Sequence, residues 1–225
     1  MSRHLNEVRA KAWVAEYGVR VPRGCYATDL DQAVSALAEL RPPLVVKLVS
    51  RALHKSEIGG VRVGVHDTQS LCAAIESIER AAGEHGVAVE GYLVEEMAPR
   101  GVEMLVGGIV DPVFGPAVLV GLGGIFTEVL DDVVARICPI GRDDACDMIH
   151  ELRCAPLLLG ARGQPPADVA ALGDVLLALG GRDGLLLRHE QSVREIDLNP
   201  VIVSSEHAIA VDARVILREE LPSEA

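Results

Sequence analysis

Glu195-Ile196-Asp197-Leu198-Asn199-Pro200 alternates oxygen-bearing and aliphatic side chains. In an extended strand, successive side chains point to opposite faces. Glu195, Asp197 and Asn199 therefore share one face, and Ile196 and Leu198 the other. A row of carboxylate and amide oxygens suits a hard cation such as Mg2+, which takes one or two protein ligands and fills its other positions with phosphate and water oxygens. The apolar run Ala208-Ile209-Ala210-Val211 follows, closed by Asp212. A hairpin through residues 204–207 brings Asp212 back beside Asn199. A plain solvated strand face is the alternative reading of the same alternation.

Upstream of this stretch, residues 87–97, 102–110, 113–120 and 133–138 read as strands, with Asp111-Pro112 and the glycine-rich Gly121-Leu122-Gly123-Gly124 as turns. Residues 143–152 and 167–179 read as helices. Near the N-terminus, Leu5, Val8, Ala12 and Ala15 recur at helical spacing over residues 5–17, and Gly18 stops the helix. Asp29 caps a second helix, with Ala33, Leu37 and Leu40 inward, and Asp67 caps a third, with Leu71, Ala74, Ile75 and Ile78 inward. Between them, Leu44–Val49 is a near-continuous apolar run of the kind found in interior strands, and residues 61–65 form the next strand. Strands that follow one another directly need hairpins. The order predicts α+β lobes and not a doubly wound parallel sheet.

Bulk composition narrows the class. At 225 residues the chain has room for one large domain or two small lobes, and with 49% hydrophobic but only 3% aromatic residues its core must be aliphatic. A net charge of -12 repels phosphate backbones, so neither nucleic acid nor an anionic membrane is expected as the main partner. A mononucleotide needs only a local basic pocket and a cation. The five cysteines show no zinc-type spacing and read as buried free thiols in a reducing cytoplasm. No apolar run approaches the roughly 20 residues of a membrane span, and the first residues, Met-Ser-Arg-His-Leu-Asn-Glu, have no apolar signal region.

Other residues ask for a chemical reason. Lys47 interrupts an interior strand, where an ammonium costs burial energy unless it reaches an anion or water. It is either an edge residue snorkelling to solvent or a point charge held for a phosphate. The stretch Arg51-Ala52-Leu53-His54-Lys55-Ser56-Glu57-Ile58-Gly59-Gly60 gathers cations, a hydroxyl and two glycines between two strands. Backbone N–H groups and nearby cations of this kind suit phosphate oxygens, although the Gly-Lys-Ser/Thr order of a Walker loop is absent. Glu95-Glu96-Met97 ends one strand and Glu103 lies in the next. Carboxylates at a strand end accept from an adenine amine or ribose hydroxyls, or simply face water.

Taken together in this order, Val45-Val46-Lys47, the 53–61 loop, Leu93-Val94-Glu95-Glu96-Met97, Asp111-Pro112-Val113-Phe114-Gly115-Pro116, Gly121-Leu122-Gly123-Gly124-Ile125-Phe126, Arg162-Gly163-Gln164-Pro165-Pro166 and Glu195-Ile196-Asp197-Leu198-Asn199-Pro200 resemble the ATP-grasp subunit of ADP-forming acyl-CoA synthetases. The succinyl-CoA synthetase β subunit is similar at greater distance. The resemblance covers nearly the whole chain. It implies an ATP-grasp fold, two α+β lobes with the nucleotide bound between them, approximately residues 20–92 and 93–225, with residues 1–19 as an N-terminal helix. It implies ATP/ADP and Mg2+ as cofactors. Lys47 then contacts phosphates, Leu53, His54, Lys55 and Ser56 close over them, Glu95 and Met97 read adenine, and Glu103 lies near the nucleotide. Asn199 and Asp212 are the implied metal ligands, with Asp197 in support. His54 is the implied catalytic residue of a phosphohistidine relay, against the plainer role of binding phosphate. An α subunit carrying CoA-binding and ligase domains is the implied partner, in an α2β2-type oligomer in the cytoplasm. A non-catalytic ATP-binding regulatory module and a stand-alone carboxylate–amine ligase are the competing expectations.

Overall fold

Strands of Val, Leu and Ile cannot stand alone in water, and here they are gathered into two antiparallel sheets, each in its own compact unit. The computed structural model describes residues 3–50, 58–124, 132–160 and 165–218. The units are Pro22–Ala98, and Met1–Val21 together with Pro99–Ala225.

In the first unit, strands β2 (Gly24–Ala27), β3 (Leu44–Val49), β4 (Val61–Val65) and β5 (Gly91–Glu96) pair in the order β2-β5-β3-β4, all antiparallel. Helices α2 (Leu30–Ala36) and α3 (Thr68–Glu84) supply the rest of its core. Both begin on an aspartate cap. Asp29 accepts from the Gln32 N–H, and Asp67 and Ser70 cap each other reciprocally. The α3 stripe of Leu71, Ala74, Ile75, Ile78 and Ala82 is buried in one cluster with Leu44, Val46, Leu48 and Val94.

The second unit holds a sheet in the order β1-β11-β9-β6-β7-β8, with β10 also on β9, and every pairing is antiparallel. Its strands are β1 (Arg3–Leu5), β6 (Val102–Asp111), β7 (Gly115–Leu122), β8 (Val133–Ile137), β9 (Val193–Val203), β10 (Ala208–Ala210) and β11 (Arg214–Leu217). Its helices are α1 (Glu7–Glu16), α4 (Arg142–Glu151), α5 (Ala155–Leu158), α6 (Val169–Gly180) and α7 (Leu185–Arg188). Leu172, Leu176 and Leu179 of α6 are fully buried with Val118, Val120, Leu198 and Val201 of the sheet. The expected aliphatic core is present in both units. Inside it, Glu7 and Lys11 form a buried ion pair one helical turn apart, at 2.9 Å.

The expected α+β class with hairpin-connected strands is the observed one. Details differ. The division falls at 98/99 and not at 92/93, because β5 is the strand shared by β2 and β3 and so stays whole in the first unit. The N-terminal helix is not a separate appendage: β1 pairs with β11, and α1 joins the core of the second unit. The expected strand at 87–97 shrinks to 91–96. Strands β1, β2 and β11 and helices α5 and α7 escaped the pattern reading, since three or four residues show no period. Of the five cysteines, only Cys138 and Cys154 are buried; Cys25 and Cys72 are half-buried and Cys146 is exposed, all as free thiols. Among the described residues, no helix is long and apolar enough to cross a membrane.

Truncating Leu176 to Ala should cost about 2–5 kcal/mol by emptying a fully buried site, whereas Val113→Ala, at 80% exposure, should stay within about 0.5 kcal/mol. Chemical denaturation of the two variants checks the contrast.

Candidate functional site

The 195–200 stretch forms the middle of the second sheet, with β6 on one side of β9 and β10 and β11 on the other. Ile196 and Leu198 are buried, while Glu195, Asp197 and Asn199 are half-buried. The alternation therefore holds as expected. On the β10 side, Ala208 pairs with Val203 and Ala210 with Val201; on the β11 side, Arg214 pairs with Asp197. Both ladders have the same register, and the Val211 N–H still donates to Pro200 O at 3.0 Å. Asp212 thus falls at the register position opposite Asn199, the juxtaposition expected of the hairpin. The ladder lapses after that point, since the Ala213 N–H donates to Asp212 Oδ1 instead.

On the β6 side, Met104 pairs with Val201 and Val106 with Leu198, so Asn199 and Pro200 together face Leu105 alone. Two residues opposite one is a β-bulge, a device that bends a strand and re-aims its side chains. The Gly124 N–H donates to Asn199 Oδ1 at 3.2 Å. That bond fixes which end of the amide is oxygen, and the oxygen keeps a second lone pair for another partner. Gly123 and Gly124 must be glycines here: a Cβ on Gly123 would lie 2.6 Å from the Met104 carbonyl carbon, and Gly124, at φ +68°, has Glu103 Oε2 where its Cβ would be. Glu103, the Gly123-Gly124 turn and Asn199 are consequently contiguous, with Asp212 and Asp197 along the same strand face.

Electrostatically this face is over-supplied with negative charge. Burial pushes the Asp197 carboxyl up; Arg214 opposes the shift, and Asp212 and Glu195 add to it. Glu195, Asp197 and Asp212 thus bring three carboxylates to this face, with Arg214 beside two of them. All the donors are oxygens, as Mg2+ requires. Among the described residues no group of three or more His, Cys, Asp or Glu is arranged as a metal cage; Mg2+ takes one or two carboxylates and completes its shell with phosphate and water. The residues fit the ion.

In the first unit, Lys47 lies on β3 and Glu95 on β5, on the sheet face away from the α2–α3 core. Lys47 Nζ and Glu95 Oε2 are 3.1 Å apart, and the residues are 7% and 2% exposed. The snorkelling alternative for Lys47 is thus ruled out by its burial. Glu95, expected as a reader of adenine, also has a duty the sequence did not disclose, as counter-ion to Lys47. Gly24 on β2 makes room for it, since a Cβ there would lie 2.7 Å from Glu95 Cγ. The Met97 N–H donates to Pro43 O at 3.0 Å, and its side chain is 45% exposed. Leu53, His54, Lys55 and Ser56 lie outside the described residues. The leg that follows them is anchored: the Leu48 N–H donates to Gly60 O at 2.8 Å, and Lys47 pairs with Val61.

Three further residues were left out of the site by sequence reading. Gly124 was noted only as part of a turn, because a backbone donor leaves no mark in composition. Asp132, just past the glycine turn, is buried and accepts from the Arg153 and Cys154 N–H groups at 2.9 and 2.8 Å. Burial would raise its carboxyl, but those two bonds, a hydrogen bond from the Cys154 side chain and the Arg153 charge together outweigh it and hold it below its ordinary range. Arg214 donates to Glu195 Oε1 at 2.7 Å, giving a partner to a carboxylate that had no assigned role.

The fold and this oxygen-lined face define a nucleotide-binding class, and comparison with known proteins makes it definite. Residues 1–217 match the ATP-grasp domain family, and the chain belongs to it. It is 39% identical over 219 residues to the β subunit of acetate–CoA ligase [ADP-forming] I of Pyrococcus furiosus, covering 96% of this chain and 93% of that protein. It is also 39% identical over 207 residues to acetate–CoA ligase [ADP-forming] I of Archaeoglobus fulgidus, covering 91% of this chain but 30% of that longer protein. Among solved structures, "dinucleotide forming" acetyl-coenzyme A synthetase 1 of Ca. Korarchaeum cryptofilum superimposes with a TM-score of 0.91 at 38% identity, over 96% of this chain and 94% of that one, in a complex with coenzyme A and Ca-AMPCP. A second structure of that enzyme, with coenzyme A and Mg-AMPPCP and its phosphohistidine segment pointing towards the nucleotide site, gives a TM-score of 0.82 at 38% identity over 96% and 93% of the two chains.

Lys47→Met should destabilise the chain by about 3–5 kcal/mol, because it removes one member of a buried ion pair. Adding Glu95→Gln should recover most of that loss. Denaturant midpoints of the single and double variants measure the recovery.

Proposed function

We propose that this chain is the nucleotide-binding subunit of an ADP-forming acyl-CoA synthetase, in which acyl-CoA, ADP and phosphate interconvert with carboxylate, ATP and CoA. The observation that carries the reading is the shared register of β9 with β10 and β11, which sets Asp212 opposite Asn199 beside the Gly124 N–H. The relatives support it, since they match the chain over nearly its full length as ADP-forming ligase subunits.

In this reading Asn199 and Asp212 hold Mg2+, and Asp197 supports them from the same strand face. The ion offsets charge on the phosphate oxygens when bound. Lys47 adds a second positive charge, exchanging part of its contact with Glu95 for a phosphate. Lys55 and Ser56 bind phosphate from the loop, with Leu53 packing over it. Glu95 and Met97 border the adenine, and Glu103 lies near the nucleotide. His54 takes part in the transfer itself. A neutral imidazole nitrogen attacks the phosphoryl group in line, a P–N bond forms as the P–O bond to the nucleotide breaks, and the reverse step regenerates ATP. Transfer of this kind requires positioning and charge neutralisation more than covalent machinery, and the residues named here supply both.

The acyl and CoA chemistry belongs to an α partner carrying CoA-binding and ligase domains. The Archaeoglobus protein, of which this chain covers 30%, supports that division of labour, because the matching segment there is part of a longer chain. The assembly is of the α2β2 type and works in the cytoplasm, where ATP, ADP and free thiols coexist.

Replacing Asn199 and Asp212 together by Ala should abolish Mg-dependent ADP binding in calorimetry with the circular dichroism spectrum unchanged; unaltered affinity would remove the pair from the site. With the α partner and labelled ATP, His54→Ala should cut phosphoryl transfer to histidine by at least about a hundredfold, the scale of losing a reacting or directly positioning group. Full transfer by that variant refutes the relay.

A further inference from the structure

Arg214 is the one cation among the described residues that bears on the oxygen-lined face of β9. Its Nη2 donates to Glu195 Oε1, while its Nε is buried with no hydrogen-bond partner. Register sets Arg214 directly opposite Asp197, two positions beyond Asp212 on its own side of the ladder. Side chains opposite and two residues apart on one sheet face are within reach of each other. The Asp197 carboxylate is half-buried, accepts no hydrogen bond from the described residues, and has Arg214, Asp212 and Glu195 as its charged neighbours. Along the face the charges therefore run negative at Glu195, positive at Arg214, negative at Asp197, and then the Asn199–Asp212 position.

We infer that Arg214, tethered by Glu195, selects the divalent cation of this face by competing for Asp197, so that only Asn199 and Asp212 serve as protein ligands. The inference rests on the reading of those two residues as the metal pair. Mg2+ is octahedral, uses one or two carboxylates and keeps its other positions for phosphate and water, whereas Ca2+ accommodates six to eight oxygens in flexible geometry. An available third side-chain oxygen favours the larger ion. A guanidinium anchored next to that oxygen withdraws it and favours the smaller ion. The tether matters, because an unanchored arginine swings to solvent, while a charge-assisted bond to Glu195 keeps the fork in place.

The test is calorimetric titration of Mg2+ and of Ca2+ into the full chain saturated with ADP, for the unsubstituted protein, Arg214→Gln and Arg214→Lys. In Arg214→Gln the ratio of Ca2+ to Mg2+ affinity should rise roughly tenfold, the scale on which ligand charge count tunes calcium sites. Arg214→Lys should keep the ratio near its original value, and Asp197→Asn added to Arg214→Gln should restore it. Should Arg214→Gln fold poorly, Arg214→Met combined with Glu195→Gln removes the guanidinium together with the carboxylate it is bonded to, so that Glu195 is not left unpaired. An equal gain for both cations with the ratio unchanged marks a plain charge effect and overturns the inference, as does no change for either. If Asn199→Ala with Asp212→Ala leaves cation binding intact, the metal reading itself falls and takes this inference with it.

Discussion

Strand β9 is paired along both edges, and at Pro200 it has no N–H to give to either neighbour. The sheet absorbs this in two ways. On the β6 side it admits an extra residue opposite Leu105, and on the other side the ladder lapses between β10 and β11 while its register continues unchanged. A register slip of one residue would turn every side chain of a strand to the other face. Keeping the register across the gap is what leaves Asp212 and Arg214 aligned with Asn199 and Asp197. The interruption falls where Asn199 and Asp212 face each other, and the pairing on either side is backed by buried Ile196, Leu198 and Val201.

The charges of the candidate site follow one rule. Each is kept beside an opposite charge belonging to the protein: Lys47 with Glu95, and Asp197 with Arg214 and, through it, Glu195. A lone buried ion would be far more costly than a paired one. Burial in the folded chain has already removed most of the water around Lys47, so in the proposed site a phosphate would meet an ammonium whose dehydration is already part of folding.

Much of this was legible in the sequence, and the reasons are specific. Alternation over 195–200 and the hairpin back to Asp212 are patterns of period two, which a one-dimensional reading captures. Asp29 and Asp67 announced their helices because caps act over three residues. Lys47 stood out because an interior strand rarely contains an ammonium. What stayed hidden depends on contacts distant in sequence: Glu95 as the partner of Lys47 lies across a strand pair, and the Gly124 N–H on Asn199 spans 75 positions. Arg214 fell in a strand of only four residues, too short to show a period, and without that strand its place opposite Asp197 could not be drawn. The metal roles, the loop histidine and the partner were supplied by family resemblance, and no spacing rule would have produced them.

The overall charge of -12 then takes on a different meaning. An acidic surface disfavours a free nucleotide at long range, but a nucleotide already bound to a divalent cation carries less negative charge and is repelled less. Local attraction must outweigh the remaining repulsion, and it acts over short distances in a low-dielectric site where it is weakly screened. The excess of carboxylates on the β9 face reinforces the same preference. Without a cation those carboxylates would oppose a phosphate; with one, in the proposed site, they would hold it through the ion. If Asn199 and Asp212 hold the cation as proposed, such a face favours the metal-bound form over the free form, and the acidity of the chain acts in the same direction.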